Sequence, residues 1–434
     1  MGPSTGIAPS SYAVERATLR NGLRVVIAPD RSSPVIGVAV YYDVGIRSEP
    51  EGRTGFAHLF EHLMFQGSVS LGKMEHIRYV QSSGGSLNGS TRLDYTNYYE
   101  ALPSNALERA LFLEADRMRA PALTEDNLAN QLDVVKEEIR VNVLNQPYGG
   151  FPWLTLPPVL FETFPNAHNG YGGFEDLESA TVEDAGDFFD QYYAPGNAVL
   201  AIAGDLDPDQ AMTLVRRHFG DVPRRDVPAR PDFDEPAPTS ERRAEHHDAL
   251  APAPAIALGW RVPDPGDLDA YLPHVLLASV LSAGDASRLR RRLVQDDRTA
   301  TDIGAHLAFM EEAFDVRNPT AMIIEAHHGA DIPADRVVAA VDEELDRIAS
   351  DGVPEDELAR IRARTASAML QRSDHVLART LAMASYEQQR GRAELVGEMP
   401  ALLAAVTAEQ VAAAAASLRP DSRARLDVIA DGAR

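Results

Sequence analysis

The alternation of apolar and polar residues along the first third of the chain predicts strands and helices in mixed order. Apolar residues on both sides of Asn21-Gly22, within residues 17–30, predict a β-hairpin that turns at this dipeptide. The β-branched run at 35–44 predicts a buried strand, and a shorter strand is predicted at 87–91. Helical spacing of apolar residues predicts three helices, at 77–83, 106–119 and 125–143. Such an order is typical of the α+β class.

The composition of the chain changes near its middle. Residues 222–240 contain five prolines and many charged residues but no apolar period, which is the composition of a linker. After it, residues 255–262 predict a strand and residues 271–282 predict a helix, so the second half repeats the order strand, helix. We therefore predict four parts: a flexible N-terminus at 1–14, a first domain at 15–221, a linker at 222–240 and a second domain at 241–434.

Composition and charge narrow the classes of partner. The 434 residues carry a formal net charge of −24, and because nucleic acids and anionic membranes bind basic surfaces, we expect neither as a partner. No run of 18 or more apolar residues is present, so we expect no membrane-spanning helix. The first residues lack a basic region followed by an apolar one, so we expect no secretory signal and a cytoplasmic location. Cysteine is absent, which excludes disulfides.

The segment His58-Leu59-Phe60-Glu61-His62 is the candidate for catalytic chemistry. In a helix, His58 and His62 lie on one face, so both imidazoles can bind the same metal ion. Glu61 lies beside them and is placed to accept a proton from water rather than to bind the metal. The pattern HxxEH is the inverzincin signature of zinc hydrolases. A catalytic zinc usually has three protein ligands, so a third ligand is expected elsewhere in the chain.

These residues resemble the pitrilysin, insulin-degrading enzyme and mitochondrial processing peptidase family of zinc metallopeptidases. The resemblance is strong over residues 15–220 and rests on blocks in the family's order, at 54–68, 84–100, 113–118, 134–139 and 188–207. It implies that the third zinc ligand is Glu138, which lies 76 residues after His62, rather than the neighbouring Glu137. It also implies one Zn²⁺ ion per chain.

The resemblance further implies the fold and the residues that contact substrate. Two homologous domains of mixed β-sheet flanked by helices are expected to pair with a second chain and form a clam-like chamber. A peptide is expected to bind as an added strand along Asn88, Gly89 and Ser90, although Asn88 has the alternative interpretation of a turn residue. Gln131 stands where several relatives have a glutamate that supports the ligands. It either orients Glu138 or a histidine, or is only a polar helix residue.

One departure from the family pattern concerns the second half. Members of the family that act alone or as homodimers carry there an arginine followed seven residues later by a tyrosine, and both contact the substrate. Gln295 and Asp302 stand at those two positions in this sequence. Arg298 is nearby but has the alternative interpretation of a solvated residue at a helix end. The chain therefore resembles the zinc-bearing subunit of a heterodimer whose partner lacks HxxEH and supplies the Arg/Tyr pair.

Three functions are compatible with these residues. The first is a zinc endopeptidase subunit that cleaves unstructured peptides or a peptide precursor, with Glu61 as general base and a partner subunit. The second is a self-sufficient homodimeric peptidase. The third is a non-catalytic scaffold of peptidase ancestry, against which the intact HxxEH motif and Glu138 count, because a scaffold is free to lose any of these side chains. If acidic residues line the chamber, basic peptides would be favoured as substrates.

The remaining histidines have simpler interpretations. The adjacent pairs His246-His247 and His327-His328 cannot easily bind one ion together, because neighbouring side chains point in different directions, so structural or surface roles are expected. His76 follows the motif on the next predicted helix. We expect it at the surface or as a support for the metal ligands.

Overall fold

The computed structural model describes residues 12–310 and 312–431 and contains two mixed β-sheets flanked by helices. This confirms the predicted α+β class and the two-sheet architecture. Of the N-terminal segment predicted to be flexible, residues 1–11 lie outside the described residues. The predicted domain boundaries stay predictions, but neither helix nor strand lies between Phe219 and Arg242, which includes the proposed linker.

The first sheet belongs to the first half of the chain. Its strands are β1 (Glu15–Thr18), β2 (Arg24–Pro29), β3 (Val35–Tyr42), β4 (Ser86–Thr91), β5 (Thr96–Pro103) and β6 (Ala198–Gly204). They lie in the order β1-β2-β6-β3-β5-β4, so β4 is an edge strand. β2 and β6 are parallel, whereas β4 pairs antiparallel with β5 alone. The free edge of β4 is what a peptide would need in order to add as a further strand.

The predicted hairpin at residues 17–30 is confirmed as the antiparallel pair β1 and β2, with Thr18 opposite Arg24. Gly22 has a φ of +96°, a conformation that favours glycine. The Asn21 amide donates to the carbonyl oxygens of Phe219 and Val222 at 2.8 and 3.0 Å, so the turn is fixed to the end of the first half.

The first half of the chain contributes its own helices, most of which cover one face of the first sheet. Over the described residues they are α1 (Phe56–Leu63), α2 (Glu75–Ser82), α3 (Leu107–Arg119), α4 (Glu125–Ile139), α5 (Pro157–Leu160), α6 (Phe164–Ala167), α7 (Phe174–Glu178), α8 (Val182–Tyr192) and α9 (Pro208–Phe219). The helix predicted at 125–143 differs in its last turn, because α4 continues as a π-helical segment over Arg140–Leu144.

The second half repeats this architecture. Its sheet has the order β7-β11-β8-β10-β9, built from β7 (Arg242–Asp248), β8 (Ala255–Val262), β9 (Asp302–Leu307), β10 (Thr320–His327) and β11 (Arg423–Ala430). Its helices in the described chain are α10 (Leu268–Ser282), α11 (Ala334–Asp351), α12 (Glu355–Asp374), α13 (Val376–Arg390), α14 (Leu395–Ala405) and α15 (Ala408–Ser417).

The two halves exchange helices across their boundary. Helix α13 of the second half packs on β3 and β6 of the first sheet, and α5 of the first half packs on β7, β8 and β11 of the second. The first contact requires a glycine, and the second lies close to one. A Cβ at Gly37 would lie 2.4 Å from the hydroxyl of Thr380, and a Cβ at Gly259 would lie 3.0 Å from the side chain of Leu156. The linker is therefore not the boundary between two independent cores.

Buried polar contacts join the halves near the exchanged helices. Arg47 is 2% exposed and donates to Asp94 at 3.1 Å, and the backbone N–H of Arg317 donates to the same carboxylate at 2.8 Å. Arg47 and Asp94 both belong to the first half, so the contacts that join the halves are the one from Arg317 and the hydrogen bond from Arg47 to the carbonyl oxygen of Pro319. Among the described residues, no single helix meets the length and hydropathy needed to cross a membrane; the bent pair α14 and α15 meets them only when taken together.

Candidate metal centre

Helix α1 carries the three residues of the motif and is fixed at its N-terminus by a buried carboxylate. Glu49 is 2% exposed and accepts hydrogen bonds from the backbone N–H groups of Gly55 at 2.9 Å and Ala57 at 2.7 Å. These are donors that the helix itself leaves without partners, and the negative charge is favourable at this end of the helix dipole. His168 Nε2 lies 3.0 Å from the same carboxylate. The apolar side of α1 packs into the first core, so the motif's polar side faces the cleft.

The structure brings His58, His62 and Glu138 together. The two Nε2 atoms are 3.3 Å apart, His58 Nε2 lies 3.7 Å from Glu138 Oε1, and His62 Nε2 lies 3.4 Å from Glu138 Oε2. Zinc bonds to nitrogen and oxygen are about 2.0–2.2 Å long, so donor atoms less than about 4.2 Å apart can contact one ion. Two imidazoles and one carboxylate are also a ligand set of catalytic zinc sites. The residues therefore fit a zinc ion.

The protonation of His58 and Glu138 suits metal binding. Burial, together with the charge of His62, lowers the pKa of His58 to about 4, so its imidazole is neutral at physiological pH. The hydrogen bond with His62 holds the pKa of Glu138 below its ordinary value, so this carboxylate is ionised. Neutral imidazole and ionised carboxylate are the forms that bind a metal. Burial lowers the pKa of His62, but its hydrogen bond with Glu138 and the charge of Glu61 outweigh this and raise that pKa, so a metal ion has to displace a proton there.

Glu61 lies beside the cluster and is held by another element. Thr91, at the end of β4, donates its hydroxyl hydrogen to Glu61 Oε2 at 2.7 Å. Burial raises the pKa of Glu61, against the effect of this hydrogen bond. A Cβ at Gly89 would lie 3.3 Å from Glu61 Oε1, so a larger residue there would crowd the carboxylate. This carboxylate is positioned to exchange a proton with a water in the cleft.

Gln131 lies on the ligands' side of α4, as predicted from its position two helical turns before Glu138. It is 5% exposed, it hydrogen-bonds His62, and its amide donates to Asn130 at 2.8 Å. The contact with His62 favours the interpretation of Gln131 as a residue that orients a ligand.

Tyr171 is a site residue that the sequence did not indicate. Its hydroxyl donates to Glu138 Oε1 at 3.1 Å, and its ring stands edge-on to His58 with a centroid distance of 5.1 Å. The loop that carries Tyr171 approaches the start of α1 closely, since a Cβ at Gly172 would lie 2.3 Å from the carbonyl oxygen of Thr54. The one sequence feature that could have indicated Tyr171 is its position among the glycines of residues 170–173, in a region with no apolar period.

The predicted substrate-binding residues line a cleft at the metal centre. Asn88, Gly89 and Ser90 lie along it together with His58 and Glu61, and its volume is about 290 Å³. The Asn88 side chain accepts a hydrogen bond from the N–H of Gly89 at 3.0 Å, so its amide is engaged locally in the structure.

The structure corrects one expectation about the other histidines and agrees with the rest. His76 is not at the surface: it is 4% exposed, and its Nε2 lies 3.8 Å from carboxylates of both Glu100 and Glu114. His76, Glu100 and Glu114 form a buried group of metal-binding side-chain types that is separate from the cluster of His58, His62 and Glu138. The surface prediction failed because the sequence does not show that two acidic residues, on β5 and α3, turn inward to meet it.

The paired histidines do not cluster with other metal-binding side chains in the part of the chain that the structure describes. His247 is exposed and lies 3.2 Å from Asp431, and the ring of His327 stands edge-on to Tyr148 at a centroid distance of 4.6 Å. These contacts fit the expected structural and surface roles.

The two positions of the expected Arg/Tyr pair are engaged outside the cleft. Gln295 donates to the carbonyl oxygen of Asp285 at 2.8 Å, and Asp302 accepts from Arg290 at 2.8 Å.

The chain is similar in sequence to known peptidases. The family model described as "Insulinase (Peptidase family M16)" matches residues 24–148, and the model described as "Peptidase M16 inactive domain" matches residues 179–365. Together they cover more than half of the chain. The zinc protease PqqE of Helicobacter pylori is 32% identical over 300 residues, which is 67% of this chain and 66% of that protein. Subunit 1 of the mitochondrial cytochrome b-c1 complex of Homo sapiens is 27% identical over 57% of this chain and 52% of its own length.

Solved structures show the same fold. A protease from Helicobacter pylori superimposes with a TM-score of 0.88 and 25% identity, covering 96% of this chain and 100% of that one. Pitrilysin superimposes with a TM-score of 0.77 and 18% identity, covering 99% of this chain but 46% of pitrilysin. The chain thus spans about half the length of pitrilysin and two thirds of the matched bacterial protease sequence.

Proposed function

The chain belongs to the insulinase family of peptidases, family M16, and on that premise we propose that it is a zinc-dependent endopeptidase subunit that cleaves unstructured peptides or a peptide precursor. The observation that carries this proposal is the complete set of His58, His62, Glu138 and Glu61 in one cleft. A zinc ion bound there would polarise the scissile carbonyl and lower the pKa of a water. We propose one such ion per chain at this centre.

The chain's own residues supply the proton transfer. Glu61 accepts a proton from the attacking water and later donates it to the leaving amine, a task that needs a carboxylate with a raised pKa close to the reacting atoms. Burial raises the pKa of Glu61 in this way, and the Thr91 hydroxyl fixes its orientation. Tyr171 and Gln131 hold Glu138 and His62 in place by hydrogen bonds.

The free edge of β4 is the proposed peptide-binding element. A peptide that adds there is held by main-chain hydrogen bonds, so it must be extended, and folded proteins would be poor substrates. The strand leads from Asn88 past Gly89 to Thr91, which contacts Glu61, so an added strand passes directly over the candidate base. This geometry supports cleavage of unstructured chains. Any preference for particular substrate side chains would depend on the residues that line the cleft around the peptide.

The need for a partner subunit is a second part of the proposal. Gln295 and Asp302 stand where an Arg/Tyr pair would contact substrate, and their contacts lie elsewhere. We propose that a homologous subunit without HxxEH supplies this pair and closes a clam-like chamber over the cleft. A homodimer that replaces the pair with other residues is the alternative. A scaffold role, favoured by the similarity to a cytochrome b-c1 subunit, would not require the intact ligand set.

Cleavage of a quenched, unstructured peptide library by the zinc-loaded chain tests these possibilities. Glu61→Gln is the matched control, because it keeps the shape of the side chain and removes the base. We expect it to lower kcat/KM by at least about 10²-fold while the zinc content stays the same. Activity of the chain alone would exclude the obligatory partner. A wild-type chain that binds zinc, pairs with its homologous subunit and still cleaves nothing would refute the peptidase proposal.

A further inference from the structure

A second cavity adjoins the cleft on the other side of the edge strand. It has a volume of about 520 Å³ and lies between the first sheet and helices α12 and α13 of the second half. We call it the tyrosine cavity, after Tyr41, Tyr95, Tyr99 and Tyr386 in its wall. Four residues line both spaces: Ser90, Arg92, Tyr99 and Met310. The two spaces are therefore neighbours along β4.

The side chains of β4 divide between the two spaces. Thr91 faces α1, because it donates to Glu61, and a Cβ at Gly89 would point at the same carboxylate. Ser90 faces the other way, because its hydroxyl donates to Asn97 at 2.7 Å, and Asn97 lines the tyrosine cavity. Successive side chains of a strand point to opposite faces. A peptide added beside β4 would therefore direct every second side chain toward the tyrosine cavity.

The walls of the cavity suit an apolar side chain. Aromatic and aliphatic groups from both halves form them, among them Tyr41, Tyr99, Phe314, Met369 and Leu381. The volume lies within the range of ligand pockets, about 300–1,000 Å³.

Most charged groups in the same walls pair with one another or with a hydroxyl group, whereas Arg92 donates to the carbonyl oxygen of Thr91 at 3.4 Å. Arg372 contacts Glu312 at 3.1 Å, and Asp315 accepts a hydrogen bond from Ser385 at 2.9 Å. Because the carboxylates of Glu312 and Asp315 are engaged within the wall, a basic substrate side chain would lose its hydration without gaining a free carboxylate.

We propose that the tyrosine cavity binds a large apolar or aromatic side chain of the peptide that lies along β4, and so selects the substrates of this peptidase. The inference rests on the proposed function, since the peptide is placed by the edge strand. It adds a requirement that the metal centre does not impose. Substrates must carry a bulky apolar residue at a position whose side chain points away from the zinc.

Filling the cavity tests this inference. Ala382→Phe introduces a ring from α13 into the space, and Ala382→Leu repeats the test with a smaller group if the first variant does not fold. Ala363→Phe is the matched control, because Ala363 is an exposed alanine of α12 that does not line the cavity. Each variant is assayed with quenched peptides in which Phe, Leu or Ser is placed at each position in turn. The partner subunit is added where activity requires it.

We expect one position at which Phe or Leu raises kcat/KM over Ser by about 10- to 100-fold in the wild-type chain and in Ala363→Phe. In the Ala382 variants this ratio should fall toward one. Absence of an apolar preference at every position, or a preference that the Ala382 variants retain, would overturn the inference.

A binding measurement separates this inference from the proposed function. Fluorescence anisotropy of the same peptides is measured on zinc-loaded Glu61→Gln, with and without Ala382→Phe. Selective binding of the Phe peptide that Ala382→Phe removes supports the cavity even if no cleavage is found. Cleavage without selective binding would agree with the proposed peptidase function but would refute the proposed role of the cavity.

Discussion

Replacement of Tyr171 by phenylalanine removes one oxygen atom from the surroundings of the metal centre and leaves the ring against His58. The lost contact is the hydrogen bond from the tyrosine hydroxyl to Glu138 Oε1 at 3.1 Å. Such a bond to a charged acceptor contributes about 1.5–3 kcal/mol when buried. The Glu138 side chain is 29% exposed, so solvent screening reduces this to about 1–2 kcal/mol. Because about 1.4 kcal/mol is a factor of ten, we expect zinc to bind roughly tenfold more weakly.

Competition with a chromophoric zinc chelator at fixed pH measures this difference. Tyr148→Phe is the matched control, since its hydroxyl donates to the carbonyl oxygen of Ala253 at 2.7 Å and does not contact the metal cluster. We expect the control to bind zinc as the wild-type chain does. If Tyr171→Phe binds zinc within twofold of the wild-type chain, the hydroxyl of Tyr171 does not support Glu138 as a zinc ligand.

Three further substitutions test other parts of the structure. Gly89→Ala places a methyl group 3.2 Å from Phe65 and close to the candidate base, so kcat should fall about tenfold or more in the peptide assay while zinc content is retained. Arg117→Met removes the guanidinium that donates to the buried carboxylate of Glu114 at 3.0 Å and leaves the longer contact with His76 at 3.8 Å, so urea denaturation should show a loss of about 3–5 kcal/mol, and a loss below about 1 kcal/mol would contradict this. Burial alone would lower the pKa of His168, but the hydrogen bond and charge of Glu49 outweigh it and raise that pKa. The stabilisation is therefore complete below about pH 6.5 and is lost as the pH rises through the raised value. His168→Gln should abolish this decline above about pH 6.5, and an unchanged decline would assign it to other groups.

The sequence predicts those parts of the site that depend on short spacing. Residues four apart on a helix share a face, so His58 and His62 could be paired from the motif alone, and the family resemblance added Glu138 from a distant helix. Strand β4 was also predicted, because the glycine pair Gly84-Gly85 ends the preceding helix just before it.

The parts that the sequence did not predict depend on tertiary contacts between loops and distant elements. Tyr171 reaches Glu138 from a glycine-rich loop with no period, and Glu49 reaches the start of α1 from a loop that precedes it. Glu100 is a charged residue that points inward from β5. From the sequence alone, a charged residue on such a strand is expected to be exposed to solvent. Only the packing of α2 and α3 behind the sheet decides that Glu100 is buried.

The exchange of helices between the halves changes what the linker does. Because α13 covers the first sheet and α5 covers the second, each half would expose a bare apolar sheet face if it were produced alone. Expression of either half alone should therefore give aggregated or unfolded protein. Proteolytic nicking within 222–240 should have a milder effect: two fragments should appear on a denaturing gel, while native chromatography still shows one particle that unfolds in one transition. The linker would then be needed to bring the halves together during folding, but not to keep them together afterwards.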